Sequence, residues 1–315
     1  MQSVVVNGIT KAYGKGQLPA VDHISFAVDK GEVFGLIGPD GAGKTTLFRI
    51  LTTLLLPDSG TASVDGFDVV ADYRKIRNTV GYMPGRFSLY PDLSVEENLA
   101  FFATVFNTTV KENDHLIRDI YVQLEPFRRR RAGKLSGGMK QKLALCCALI
   151  HKPAVLFLDE PTTGVDPVSR KEFWAMLGRL KEQGITIIVS TPYMDEAVLC
   201  DRIALLQAGS ILAMDTPAGI SASYPHALYA VRGAGTPALL QALSRDARLQ
   251  GSYAFGEAVH VAVKRDTAAT DDENEAGIKA YLEKEGFKNI TVNRISPEIE
   301  DCFIGLATGS APASG

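Results

Sequence analysis

Residues Gly38-Pro39-Asp40-Gly41-Ala42-Gly43-Lys44-Thr45-Thr46 follow the pattern G-x-x-x-x-G-K-T, which fixes the local fold more tightly than any other feature of this chain. Such a loop belongs between a buried strand and a helix. Both neighbours are present: Val33-Phe34-Gly35-Leu36-Ile37 is a short apolar strand, and residues 44–51 carry a helical pattern. The glycines let backbone N–H groups approach a phosphate with no Cβ in the way. The helix adds the positive end of its dipole. Lys44 supplies a point charge for the β- and γ-phosphates of a nucleotide, and Thr45 offers a hydroxyl to Mg²⁺. The bland alternative is a glycine-rich turn with no ligand; the complete pattern in its strand–loop–helix setting argues against it.

Downstream, Leu156-Phe157-Leu158-Asp159-Glu160-Pro161 ends an apolar run that begins at Ala154. A surface turn would account for two adjacent acids, but not for the apolar residues leading directly into them. Beside a nucleotide, Asp159 would hold Mg²⁺ through water and Glu160 would polarise the attacking water. Between the two segments lies Leu135-Ser136-Gly137-Gly138-Met139-Lys140-Gln141. A hydroxyl and bare backbone open a helical pattern there, the makings of a second anion-binding helix start.

The remaining patterns place these segments in an α/β fold. Runs at 154–158 and 185–190 predict strands buried on both faces of a parallel sheet, with a helix over 169–183 that stops at Gly184. Residues 4–6 and 24–28 alternate like antiparallel strands, and 203–207 and 211–214 flank Ala208-Gly209-Ser210 as a hairpin. Ser94 and Glu97 have capping-box spacing, and a helical period runs from there to about Arg131. Beyond Pro225, strands at 227–231, 253–255, 259–263 and 290–295 interleave with helices at 237–242 and 274–285. That β-α-β-β-α-β order predicts a small α+β ferredoxin-like domain. The expected division is residues 1–222, with a helical subdomain at about 92–150, then 223–308, then a disordered tail at 309–315. The polar segment Asp266 to Asn274 is expected as a mobile loop.

Composition excludes several classes. The longest apolar run, Leu143 to Ile150, is far short of the roughly 20 residues that cross a bilayer, and no secretion signal opens the chain. The four cysteines lack Cys-x-x-Cys spacing, which reads as buried thiols in a reducing cytosol. A formal net charge of −3 exerts no global pull on nucleic acid, and Arg128 to Arg131 reads as a solvated face.

A phosphate loop, then LSGG, then an apolar run ending in Asp-Glu resembles the ATP-binding-cassette ATPases over roughly the first two-thirds of the chain. The resemblance implies a P-loop NTPase with a RecA-like parallel core sheet, an antiparallel β subdomain and a helical subdomain inserted before LSGG. It implies ATP and Mg²⁺ as ligands, with residues 38–46 holding the nucleotide, Thr45 and Asp159 the metal, and Glu160 the water. Ser136, Gly137 and Gly138 would meet the γ-phosphate held by a second ATPase subunit, so a single cassette implies a head-to-tail dimer, most simply a homodimer. Tyr13 stands where the family stacks an aromatic on adenine; a half-buried strand tyrosine is the competing reading. Within the family, the form Leu-Ser-Gly-Gly-Met-Lys-Gln-Lys and the ending Pro297-Glu298-Ile299-Glu300-Asp301-Cys302-Phe303 resemble ATPase subunits of ABC-2 type exporters, including daunorubicin-resistance transporters. This implies a polytopic membrane permease as partner, a peripheral place on the cytoplasmic face of the inner membrane, and no nucleic acid. The segment 81–90 matches the family's coupling loop, and Phe87, Leu89 and Tyr90 are expected to lie exposed in a groove that accepts a short helix of that permease.

Two positions depart from the family. Gly85 replaces the coupling-loop glutamine, which contacts Mg²⁺ and water, and Pro192 replaces the histidine after the last core strand, which contacts the γ-phosphate. Proline offers no side-chain donor. Neutral drift in a working enzyme is one reading, and a regulatory ATP switch with slow hydrolysis is another. Arg86 and Tyr193 are the nearest substitutes. A soluble, non-transport cassette ATPase is disfavoured by the lack of a second cassette, a coiled-coil insertion or a strongly basic face.

Overall fold

The computed structural model describes residues 1–14, 16–86, 88–233, 235–264 and 270–309. They form two units, Met1–Thr216 and Pro217–Gly315. In the first, β1 (Gln2–Lys11) and β2 (Val21–Asp29) pair antiparallel, with Val6 opposite Phe26. The chain then enters β3 (Val33–Ile37), buried along its whole length, and crosses the phosphate loop into α1 (Lys44–Leu51). β4 (Ser59–Val64) returns to β1 and carries β5 (Phe67–Asp68), giving an antiparallel sheet of order β2-β1-β4-β5. Next come α2 (Tyr73–Thr79) and β6 (Val80–Met83).

The helical subdomain opens with α3 (Val95–Val105), where Ser94 and Glu97 form the expected reciprocal capping box. After α4 (Asp114–Tyr121), short 3₁₀ turns lead to α5 (Gly137–Leu149). Arg128 to Arg131 are all exposed. β7 (Val155–Asp159), α6 (Pro167–Glu182), β8 (Thr186–Thr191), β9 (Arg202–Gln207) and β10 (Ser210–Asp215) complete the unit. Gly184 adopts φ 84°, the left-handed stop that its place after α6 requires. The core sheet has the order β10-β9-β3-β8-β7-β6. All its pairings are parallel except the β9–β10 hairpin. One consequence governs the site: the carboxyl ends of β3, β7 and β8 finish side by side, with Ile37 against Thr191 and Asp159 against Ser190. Phe34, Leu36, Leu47, Phe48, Phe157 and Ile188 form part of the cluster beneath that edge.

The second unit runs α7 (Pro217–Ala222), β11 (Ala227–Arg232), α8 (Thr236–Leu243), β12 (Leu249–Phe255), β13 (Ala258–Val263), α9 (Asp271–Lys284), β14 (Thr291–Ile295) and α10 (Ile299–Ala307). Its antiparallel sheet has the order β12-β13-β11-β14. Tyr229, Val231, Val259 and Val261 pack with Leu239, Leu243, Ile278 and Leu282 of α8 and α9. Buried Asp301 of α10 accepts hydrogen bonds from Tyr253 Oη and from the Glu298 amide, both at 2.7 Å, and pairs with His260 Nδ1 at 2.7 Å. Burial opposes ionisation of Asp301, yet these partners hold its carboxyl below the ordinary range.

Two expectations change, and parts of two others fall outside the described residues. Residues 271–274 are not loop but the first turn of α9, because Thr270 and Glu273 form a capping box there. Residues 266–269 and 310–315, for which a loop and a tail are expected, lie outside the described set. The units divide ahead of α7 instead of at 222/223, since α7 packs on α10, with Cys302 Sγ 3.7 Å from the Ile220 carbonyl. All four cysteines are buried, and no helix among the described residues is long and apolar enough to cross a membrane.

Candidate functional site

The phosphate loop is shaped by what surrounds it. A Cβ on Gly38 would fall 2.3 Å from the Leu206 carbonyl, and one on Gly43 would fall 2.3 Å from that of Ala20. Gly43 also adopts φ 103° and Gly41 φ 80°, conformations that side chains resist. Pro39, Asp40 and Gly41 form an exposed tip, whereas Ala42 is buried. The Gly38 amide bonds to Thr191 O of β8, and the Gly209 amide of the β9–β10 turn bonds to Ala42 O. Adjoining elements on both sides thus fix the loop.

Lys44, only 3% exposed, donates to the carbonyls of Gly38 at 2.8 Å and Pro39 at 3.1 Å, and its ammonium lies 3.3 Å from Glu160 Oε1. Next to it, Thr45 Oγ1 donates to Asp159 Oδ1 at 3.2 Å. Residues 44 and 45 and the two carboxylates therefore converge although the sequence holds them far apart. Thr46 is buried, and its hydroxyl lies 3.0 Å from Tyr13 Oη. Tyr13 itself is 57% exposed, beyond the end of β1, so its ring is not a strand residue packed into the sheet.

Glu160 has φ 50°, the left-handed region, which costs a non-glycine residue about 1–2 kcal/mol. Its amide donates both to Ser190 Oγ and to Ser190 O at 3.0 Å, and Ser190 Oγ in turn donates to Asp159 Oδ1 at 2.6 Å. Beside them, Tyr82 of β6 has its phenol pushed up to about 12, first by burial and then by the Asp159 charge.

A second buried carboxylate stands beside the site and is not singled out by the sequence. Glu196, 2% exposed, accepts from Thr162 Oγ1 at 2.8 Å, Thr191 Oγ1 at 2.6 Å and Arg170 Nε at 3.1 Å. It thereby ties the loop after Glu160 to α6 and to the segment that carries Pro192. Tyr193 packs under the Arg170 guanidinium, 4.4 Å from its ring centroid. Its signal in the sequence is an acidic pair, Asp195-Glu196, just past a strand.

Gly85 runs directly beside the carboxylates: a Cβ there would lie 3.0 Å from Asp159 O and 3.8 Å from Glu160 Cβ. Gly85 and Arg86 line one side of a small cavity of about 90 Å³ whose other side is Gly137, Lys140 and Gln141 of α5. Ser136 caps α5, accepting from the Met139 amide at 3.4 Å. A Cβ on Gly138 would meet Ser169 Oγ at 2.8 Å, so glycine there lets α5 and α6 begin side by side. In the coupling loop Tyr90 is exposed as expected, whereas Leu89 is buried against the expectation that it lies open; Phe87 is outside the described residues. Met83, Leu89, Phe102, Phe106 and His151 line a neighbouring cavity of about 290 Å³. None of the histidines in the described hydrogen bonds partners Lys44, Asp159 or Glu160.

The arrangement can hold an anion on the loop amides and Lys44. Thr45 and Asp159 would offer oxygens to a divalent cation. Among the described residues no cluster of three His, Cys, Asp or Glu side chains could cage a metal by itself. Mg²⁺ fits that donor set, because it commonly takes one or two protein oxygens and completes its shell with phosphate and water.

The pattern of a family described as ABC transporter matches residues 21–163. Over 311 residues the chain is 38% identical to the probable multidrug ABC transporter ATP-binding protein YbhF of Escherichia coli (strain K12), covering 98% of this chain and 52% of that protein. The chain thus spans about half the length of this relative. It is 41% identical over 212 residues to the Nod factor export ATP-binding protein I of Burkholderia orbicola (strain AU 1054), covering 66% of this chain and 69% of that one. Among solved structures, cbiO1 of Clostridium perfringens, part of the ABC transporter complex cbiONQ, is similar at a TM-score of 0.63 and 27% identity, over 70% of this chain and 91% of its own.

Proposed function

The chain belongs to the ABC transporter family, and on that premise we propose that it binds Mg-ATP and hydrolyses it as a head-to-tail dimer to drive export through separate membrane subunits. Residues 38–46 bind the triphosphate, Lys44 its β- and γ-phosphates, and Tyr13 the adenine. Thr45 and Asp159 hold Mg²⁺, which neutralises phosphate charge when bound. Glu160 orients and polarises the attacking water. Ser136, Gly137 and Gly138 approach the γ-phosphate of the second subunit's nucleotide. The observation that carries this reading is the convergence of Lys44, Thr45, Asp159 and Glu160 at the carboxyl ends of β3 and β7, which flank β8 in the sheet.

The export assignment draws on the relatives named for multidrug and Nod factor export. The apolar cavity beside the coupling loop suits a short helix of a polytopic permease, which would hold the chain on the cytoplasmic face of the membrane. Gly85 and Pro192 favour slow hydrolysis, since no side-chain donor from either reaches the carboxylates or a γ-phosphate. The test is Glu160→Gln. It should bind ATP as the parent does and accumulate as an ATP-bound dimer, while turnover falls by about 10²–10⁴. Parent-like hydrolysis by this variant would remove Glu160 from the chemistry, and a monomer at saturating Mg-ATP would remove the homodimer.

A further inference from the structure

We propose that Ser190 is a positioning residue for hydrolysis, holding Glu160 in the turn that brings its carboxylate round to the nucleotide side. The proposal rests on the reading of Glu160 as the residue that polarises water.

Successive side chains of a strand point to opposite faces. Asp159, the last residue of β7, directs its carboxylate towards Thr45. A Glu160 that continued the strand would therefore face away from Lys44. Instead its φ of 50° swings the chain, and Oε1 lies 3.3 Å from Lys44 Nζ. Ser190 is the side chain that touches both partners in this turn. Its hydroxyl shares the Glu160 amide with the Ser190 carbonyl, each at 3.0 Å, and alone links that amide to Asp159, to which it donates at 2.6 Å, within a pairing that already sets Ser190 opposite Asp159. Ser190 is fully buried, so water does not stand in for the hydroxyl. The adjacent hydroxyl is not free to do so, because Thr191 bonds to Glu196. On the opposite flank residue 85 is a glycine and supplies no side chain.

The test compares ATP affinity and single-turnover hydrolysis in the full chain for Ser190→Ala, Ser190→Thr, Glu160→Gln and the Ser190→Ala/Glu160→Gln double variant. Ser190→Ala should bind ATP as the parent does and hydrolyse it about 10- to 10²-fold more slowly, the scale of a small misplacement of a reacting group. Ser190→Thr, which keeps the hydroxyl, should recover most of that rate. In the Glu160→Gln background the alanine change should cost nothing further, since Ser190 acts through the residue already removed. Should Ser190→Ala not fold, Ser190→Cys keeps the volume with a weak donor and must show the same loss. A parent-like rate in the alanine or cysteine variant, weakened ATP binding, or an additive loss in the double variant would each overturn the proposal. Parent-like hydrolysis by Glu160→Gln alone would instead defeat the underlying assignment, so the two failures are read separately.

Discussion

The two flanks of the proposed nucleotide site differ in how completely they are furnished. On the β3–α1 side every position carries a suitable group: loop amides, a buried Lys44 and Thr45 bonded to Asp159. On the side of the coupling loop and the segment after β8, Gly85 and Pro192 offer no side-chain donor, and Tyr193 is held beneath Arg170. Groups that bind phosphate act on substrate and transition state alike, whereas groups that meet charge as it develops act on the rate. The difference therefore separates affinity from turnover: ATP should be held normally and hydrolysed slowly.

Three changes probe that contrast, in falling order of effect. Lys44→Ala strikes the furnished flank and should weaken ATP binding by about 10²-fold, because it removes a fixed buried cation. Unchanged binding of a fluorescent ATP analogue would mean that the loop amides suffice and that the contrast is drawn in the wrong place. Arg170→Ala strikes the other flank. It leaves Glu196 with two threonine donors and should cost about 1–3 kcal/mol of stability in urea unfolding, with ATP affinity kept. Weaker nucleotide binding in that variant would show that the flanks are not separable. Tyr13→Ala should reduce affinity for ATP by up to about tenfold, the scale of one aromatic stacking contact, and the loss should be shared by ADP. A loss confined to ATP would move Tyr13 from the base to the γ-phosphate.

Much of the furnished flank could be read from the sequence because it is local. The strand, loop and helix span one continuous stretch, and α1 begins at Lys44 because Gly43 turns left-handed immediately before it. The capping box at Ser94 and the βαββαβ order of the second unit were legible for the same reason. The capping box at Thr270 is equally local, but the run of polar and acidic residues around it reads as a loop. What periodicity could not supply were contacts between distant residues. Ser190 reaches Asp159 and Glu160 only through the β7–β8 pairing, and Glu196 gathers Thr162, Thr191 and Arg170 from three segments. β4 carries no clear strand pattern in the sequence, because its first residues, Ser59-Gly60-Thr61, are small, polar and exposed.

The most direct test measures ATP affinity and single-turnover hydrolysis side by side in the parent and in Gly85→Gln/Pro192→His. A glutamine at 85 must ease the 3.0 Å approach of its Cβ to Asp159 O, a shift of a few tenths of an ångström. With that accommodated, affinity should stay constant. The rate should rise towards the roughly 10²–10³ that one charge-stabilising donor contributes, and further than with either change alone. A parent that already hydrolyses briskly and does not respond to the paired change, or a change that alters affinity in place of rate, would contradict the division of the site into a complete binding flank and a depleted hydrolytic one.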